Sequence, residues 1–311
     1  MNSELKERLV SAALKSGLDD MRVCAPSDIL DGGRFRRWLA LGHHGDMSYL
    51  ERHLEQRLSP ARFFPGVRSM LVVVKSYRPE SLDCVRETQD GLPIALYARG
   101  RDYHRVVKKP LKGLARMLSD AGYHARVHVD TAPVMEKALA VRSGLGVQGR
   151  NSLLIHPRLG SFVFLGGIAT SAPLEPDDAP AVGDGLCEGC NRCVEACPTG
   201  ALDGSGGMDA CRCLSYASIE CKTGMSEALA ALAGGRVYGC DICQLVCPAN
   251  AAVAVGSWGE FAPFHGAEAM SPKELSLLDE DQFARLFRGS AVRRVGWERF
   301  VGNSKRVSGT A

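Results

Sequence analysis

The chain has 311 residues, 45% of them apolar and 23% charged, with a formal net charge of +3. That is enough length for two domains and an ordinary globular composition, and too little net charge for nucleic acid to be attracted except by a local patch. The longest apolar runs, MLVVV at 70–74 and ALAALA at 228–233, fall far short of the roughly 20 residues that span a bilayer. The opening MNSELKERLVSAALKSG lacks the apolar core of a signal peptide, so a cytoplasmic protein with no membrane partner is expected.

In chain order, residues 3–16 are predicted as a helix with Leu5, Leu9, Ala12 and Ala13 on one face. MRVCAP (21–26) reads as a short strand. Phe35, Trp38, Leu39, Tyr49 and Leu54 lie among arginines and histidines in a helix expected to break near Gly42–Gly45. SMLVVVKSY (69–77) is continuously apolar, as a strand covered on both faces should be. Val106, Val107, Leu111, Leu114, Met117 and Leu118 recur at helical spacing. YHARVHV (123–129) alternates like a strand and ends at Asp130, with a helix expected to start at Pro133. Residues 152–170 read as two strands joined by the turn His156–Gly160. SAPLEPDDAPAVGDGL (171–186) is the best linker. After a cysteine-rich stretch to about residue 250, Ser271-Pro272-Lys273-Glu274 has the pattern of a capping box opening a helical tail. The helix–strand alternation over 1–170 argues an α/β domain.

Ten of the twelve cysteines fall between Cys187 and Cys247, while Cys24 and Cys84 stand alone. In a reducing compartment such clustering points to metal rather than disulfides. CEGCNRCVEACP has the spacing Cys-x2-Cys-x2-Cys-x3-Cys-Pro, the bacterial ferredoxin run, in which three thiolates hold one [4Fe–4S] cube and the fourth reaches another. CDICQLVCP repeats the pattern with one cysteine fewer. By that logic Cys187, Cys190, Cys193 and Cys247 hold one cluster. Cys197, Cys240 and Cys243 hold the second, with Cys211, Cys213 or Cys221 as the remaining ligand. Zinc favours two separated Cys-x2-Cys pairs and fits the run poorly. GLGVQG (144–149) follows a helix rather than a strand, so it carries little weight as a nucleotide loop, and no Walker motif is present.

Six stretches together resemble the epoxyqueuosine reductase family: YARGRDYHRVVKKPL (97–111), VDTAPVMEKALAVRSGLG (129–146), GRNSLLIHPRLGSFVFLGGI (149–168), CEGCNRCVEACPTGAL (187–202), CRCLSYASIE (211–220) and YGCDICQLVCP (238–248). RGSAVRR near 288–294 is similar too. The resemblance implies a nitroreductase-like, cobalamin-binding N-terminal α/β domain (1–175), a ferredoxin-like domain with two [4Fe–4S] clusters (176–255) and a short helical C-terminal segment (256–311). It selects Cys213, ahead of Leu214-Ser215-Tyr216, as the eighth ligand and leaves Cys211 and Cys221 spare. It also implies Asp130 as the proton donor and Arg57, Asp130, Asn151, Leu154, Ser215 and Asp241 as cobalamin contacts.

The implied reaction is a two-electron removal of the epoxide oxygen of epoxyqueuosine at the wobble position of a tRNA anticodon loop. A low-potential donor feeds a monomer, and the clusters pass electrons singly to the corrin. A carboxyl buried against an apolar corrin face is expected to have a raised pKa and to keep its proton. Without the resemblance, Asp130 reads as a helix cap, Arg57 as a solvated charge and Asp241 as a turn or cap residue. His104, His124, His128 and His156 read as structural. The basic stretches Arg34/Arg36/Arg37, Arg99/Arg101/Arg105/Lys108/Lys109 and Arg288/Arg293/Arg294/Arg299/Lys305/Arg306 are either solvated faces or a tRNA surface.

Two departures stand out. Family members often carry C-terminal helical repeats, so a leaner tRNA grip is expected here. Val147 also stands after Gly146, where an aromatic residue is more usual. The rivals are a small-molecule cobalamin/iron–sulfur reductase of the dehalogenase type, a plain ferredoxin-type electron carrier and a zinc-binding module.

Overall fold

The computed structural model of the chain describes residues 2–30, 32–80, 82, 92–177, 185, 187–251 and 253–309. Cys84 and, within the expected linker, residues 178–184 and 186 lie outside the described residues. The strands are β1 (Asp20–Cys24), β2 (Ser69–Ser76), β3 (Ala125–His128), β4 (Val147–Gln148), β5 (Leu154–Ile155) and β6 (Val163–Thr170). Four of them form one sheet in the order β1-β2-β6-β3. Every neighbour in it is antiparallel, β2 running against β6 from Ser69 opposite Thr170 to Ser76 opposite Val163. The fold is thus mixed α/β, and the alternation of elements decides that helices cover the sheet, not which way its strands run.

The apolar run of β2 is buried along its whole length because both faces are covered. Leu71 and Val73 pack with Leu5 and Leu9 of the helix Asn2–Lys15 and with Leu111, Leu114 and Leu118 of the helix Lys108–Asp120. Met70, Val72 and Val74 face Phe63 and Leu139 and Ala140 of the helix Glu136–Arg142. Each such aliphatic side chain contributes about 1.5–3 kcal/mol on burial. The one charge on the strand, fully buried Lys75, is paired: its Nζ is 3.0 Å from Asp19 Oδ1 and 2.7 Å from Ser257 Oγ, as an interior ion requires.

Several boundaries differ from expectation for visible reasons. The helix expected from Pro133 begins at Glu136, because residues 129–134 are held in turns by Thr131 N donating to Val129 O and Val134 N donating to Ala132 O. β5 pairs with β4 rather than with β6, and only the bridge His156–Gly160 survives of the expected hairpin. The break at Gly42–Gly45 is present, with both glycines at positive φ. A Cβ on Gly45 would sit 2.1 Å from the Tyr216 hydroxyl, so this turn is a close approach to the cysteine-rich segment. The capping box Ser271/Glu274 forms with Pro272 in the first turn.

The cysteine-rich segment is fastened to the sheet layer by Asn250. Its Oδ1 accepts from Ser161 N (2.7 Å), and its Nδ2 donates to Ser161 Oγ (2.9 Å) and Gln244 O (2.7 Å). The C-terminal helices share a second core with residues of 94–98 and 214–238, centred on Tyr238, Phe283, Phe287 and Phe300. Among the described residues no helix is long and apolar enough to cross a membrane.

Candidate active site

Asp130 follows β3 directly, and its backbone is left-handed, at φ 56°. For a residue with a Cβ that conformation costs on the order of 1–3 kcal/mol, so the surroundings must impose it. Asp130 does not cap a helix; its carboxylate Oδ2 lies 3.0 Å from His104 Nε2. His104 Nδ1 is 2.6 Å from Asp102 Oδ1, and Arg294 donates to Asp102 Oδ2 at 3.1 Å. A continuous chain therefore runs Arg294–Asp102–His104–Asp130. It draws on three separate places in the sequence, which is why alternation and spacing did not reveal it.

Local structure explains how the chain is assembled. Asp102 caps the short helix Tyr103–Val106, accepting from His104 N. Tyr103 stacks on Phe164 of β6, with ring centroids 4.4 Å apart and planes 3° from parallel, and on His104 with centroids 4.0 Å apart. The tail closes over this corner, Asp102 N donating to Gly289 O and Ser290 Oγ to Ala98 O.

The electrostatics correct one expectation. Burial acts to raise the Asp130 carboxyl, but hydrogen bonds from His104 and Tyr103 and the charges of His104 and Arg294 outweigh it, leaving Asp130 below its ordinary value. Burial pulls His104 down, but the two carboxylates raise it further, to a net value above 6.5. Asp102 is lowered to about 2: burial opposes this, but the bond and charge of His104, followed by Arg294, prevail. Both directions favour a charged imidazolium on His104, a residue that reads as structural from the sequence alone.

Arg57 is buried with its Nε unpartnered. Its guanidinium lies 5.7 Å from the Tyr49 ring and near enough to Asp130 and Glu136 to feel their charges. It is therefore no solvated charge. Glu220, at the end of the CRCLSYASIE stretch, is raised by burial and by the charge of Asp130, against Arg299. Asn151 is buried with Nδ2 unpartnered. It lines one cleft with Cys187, Cys190, Cys193 and Cys247. Leu154 is buried on β5. Asp241 stands at the N-cap of the short helix Ile242–Leu245, but its side chain does not bond to that helix. Its Oδ2 accepts from Leu96 N at 2.8 Å, and its carboxyl is raised by burial against that bond and the charges of Arg99 and Arg236.

The thiols fall into two groups. Cys187, Cys190, Cys193 and Cys247 share the cleft just described. In the second group, Cys213 feels the charge of Cys197, Cys240 that of Cys213, and Cys243 those of Cys240 and Cys213. Cys193 also acts on Cys243, so the groups adjoin. Cys197 lies below the ordinary thiol value: burial opposes ionisation, but Thr199 and the amides of Ala201, Thr199 and Leu202 outweigh it. Ser215 N–H is directed at Cys213. Burial pushes Cys240 up to about 12, so only a strongly bound cation would hold it ionised. Cys211 and Cys221 lie apart, their sulfurs on Gly42 O and Thr223 Oγ1. Among the described residues no three His, Cys, Asp or Glu side chains converge on one point.

The basic stretches divide. Arg34 is engaged by Ser205 and Asp203, and Arg36 by Glu55. Arg99 is buried, with Nε donating to Ile94 O. Arg101 and the tail meet, Arg101 Nη1 donating to Arg288 O, so exposed cations from two distant stretches border the Asp102 corner.

Known proteins match this arrangement along the chain. Residues 57–131 match the family model described as epoxyqueuosine reductase QueG, DUF1730, and residues 186–250 the 4Fe–4S double cluster binding domain. An epoxyqueuosine reductase of Pseudomonas aeruginosa is 39% identical over 272 residues, covering 86% of this chain and 75% of its own. The chain belongs to the epoxyqueuosine reductase family. The Escherichia coli K12 member is 33% identical over 99% of this chain and 82% of its own. A crystal structure of epoxyqueuosine reductase with an epoxyqueuosine-modified tRNA-Tyr stem loop superposes with a TM-score of 0.87 at 28% identity, over 98% of this chain and 80% of that one. A family member from Bacillus subtilis, solved with its catalytic Asp loop swung out of the active site, superposes with a TM-score of 0.85 at 27% identity, over 98% and 81%. The family is one of oxidoreductases, and its iron–sulfur domain here is the segment holding both thiol groups.

Proposed function

We propose that this chain reduces epoxyqueuosine to queuosine in a tRNA anticodon loop, in the cytoplasm and as a monomer, with electrons from a low-potential donor. Removing the epoxide oxygen as water and leaving the alkene takes two electrons and two protons. Cobalamin, when bound, supplies the nucleophilic metal chemistry for that step. Unpartnered buried donors on Arg57 and Asn151 suit a group rich in amide carbonyls such as a corrin, and Leu154, Ser215 and Asp241 complete the proposed contacts. Cys187, Cys190, Cys193 and Cys247 would hold one [4Fe–4S] cluster and Cys197, Cys213, Cys240 and Cys243 the other. Residues 1–175 would then serve the corrin, 176–255 the clusters and 256–311 the closing tail.

The observation that carries the acid role is the 3.0 Å contact between His104 and Asp130. Asp130 faces the reacting centre and passes the proton on; His104 holds it between two carboxylates and replenishes Asp130 after each transfer. For the substrate, the exposed cations Arg101, Arg288 and Arg293 would meet anticodon-arm phosphates, while an unpaired loop base is splayed into the site.

The test is anaerobic reconstitution with iron, sulfide and cobalamin, followed by a low-potential reductant and tRNA carrying epoxyqueuosine. Digested tRNA is then examined by mass spectrometry for the nucleoside lacking one oxygen. Its formation only with cobalamin present, and its loss in Asp130→Asn, are expected. Iron loading with no deoxygenated nucleoside would overturn the substrate and favour a small-molecule reductase.

A further inference from the structure

Asp130 is held in its left-handed conformation from behind, by a residue with no part in the proton chain. Glu136 opens the helix Glu136–Arg142 and is 13% exposed. Its Oε1 accepts from Asp130 N at 3.0 Å, with Oε2 at 3.2 Å. The same Oε1 accepts from His128 Nδ1 at 2.9 Å. His128 is the last residue of β3, its side chain fully buried and its Nε2 without a partner. Against a carboxylate, which can only accept, Nδ1 is the donor and is aimed at Glu136. Gly167 on β6 leaves the space for it: a Cβ there would lie 2.7 Å from His128 Nε2.

From these contacts we infer that Glu136 is a positioning residue, a latch that ties the Asp130 loop to β3 through His128 and aims the Asp130 carboxylate at His104. One carboxylate joins the strand that ends before the loop, the loop itself and the helix that begins after it. Releasing it frees the Asp130 N–H and removes a contact that holds the left-handed backbone. The relative caught with its catalytic loop swung out is what an opened latch would permit. A charge-assisted bond to a backbone N–H is strong enough to set such an equilibrium. The inference that the latch serves catalysis rests on the proposed role of Asp130; the latch itself does not.

The test uses the full, reconstituted chain and reads amide hydrogen exchange before activity. Glu136→Ala is expected to speed exchange at residues 129–134 by about tenfold or more, the scale of one lost charged bond, while β2 and β6 exchange as in the parent. Glu136→Gln keeps an oxygen able to accept from both donors, so its exchange should stay within about threefold of the parent. It also guards against a folding defect in the alanine variant. Single-turnover deoxygenation should fall in parallel with loop opening, with KM for tRNA little changed. Unchanged exchange at 129–134 in Glu136→Ala, with the sheet intact, overturns the latch whatever happens to activity. Fast loop exchange with undiminished turnover overturns its catalytic service. Fast loop exchange in a chain whose parent forms no queuosine leaves the latch standing and removes the proposed reaction instead.

Discussion

His104 Nε2 and Asp130 Oδ2 stand 3.0 Å apart at the end of a chain that begins on Arg294. The pair shares one proton, and its pH behaviour follows. His104 is raised above its ordinary 6.5, so its stabilising contribution is complete below that value and is lost as pH rises through the folded-state value. Asp102, lowered to about 2, contributes above its ordinary 3.8 and loses that contribution as pH falls toward 2. The destabilisation caused by His104→Gln, followed by thermal unfolding, should therefore be largest below pH 6.5 and shrink on the alkaline side.

The same coupling sets the rate profile. Single-turnover deoxygenation should fall on the alkaline side as His104 loses its proton, and His104→Gln should lower it by about 10²-fold. Asp102→Asn keeps a capping oxygen but removes a charge that supports the imidazolium, so the alkaline limb should move to lower pH. A limb that stays put in Asp102→Asn would take His104 out of the proton path.

The two groups of thiols make a sharp prediction about iron. Cys213→Ala should cost about half the iron and sulfide bound after reconstitution, one cube of two. Cys211→Ser and Cys221→Ser should bind the full complement, since their sulfurs face Gly42 and Thr223 rather than the other thiols. Iron and sulfide analysis with electron paramagnetic resonance of the reduced protein would separate these outcomes.

What the sequence made legible follows from what each signal encodes. The spacings of CEGCNRCVEACP and CDICQLVCP carry the grouping of the thiols locally, so both groups could be read from them except for Cys213, which needed the family resemblance. The apolar run of β2 encoded burial on both faces but not the antiparallel register, which depends on how distant segments return. Asp130 was legible only as a position after a strand. Its partner His104, the Glu136 clamp and the displaced helix start all come from contacts between segments, and a lone histidine in HRVVKK carries no sign of them. Arg99 looked like one more surface cation, and its burial is set by packing against residue 94.

Asn250 tests how firmly the cysteine-rich segment is fixed to the sheet. It is fully buried and makes three hydrogen bonds to Ser161 and Gln244. Asn250→Ala strands the Ser161 N–H away from water, at about 1–3 kcal/mol, while the Gln244 carbonyl keeps Cys247 N as a donor. A fall in thermal midpoint of roughly 2–5 °C is expected, with looser cluster retention because Cys247 lies three residues away. An unchanged midpoint would mean that the join is not held at Asn250.

Arg293 and Arg294 are neighbours, both exposed on the tail, yet only Arg294 reaches Asp102. The two should separate binding from chemistry. If Arg293 meets a phosphate, Arg293→Ala should weaken tRNA binding and reduce the slope of log affinity against log salt by about one, leaving the single-turnover rate at saturating tRNA unchanged. Arg294→Ala should lower that rate and shift its alkaline limb to lower pH, because the chain then ends on an Asp102 whose charge is less well supported. Filter binding across a salt series, set beside rates at two pH values, distinguishes them. Identical effects from both substitutions would mean that the tail acts on the site only through tRNA, with no electrostatic path from Arg294 to Asp130.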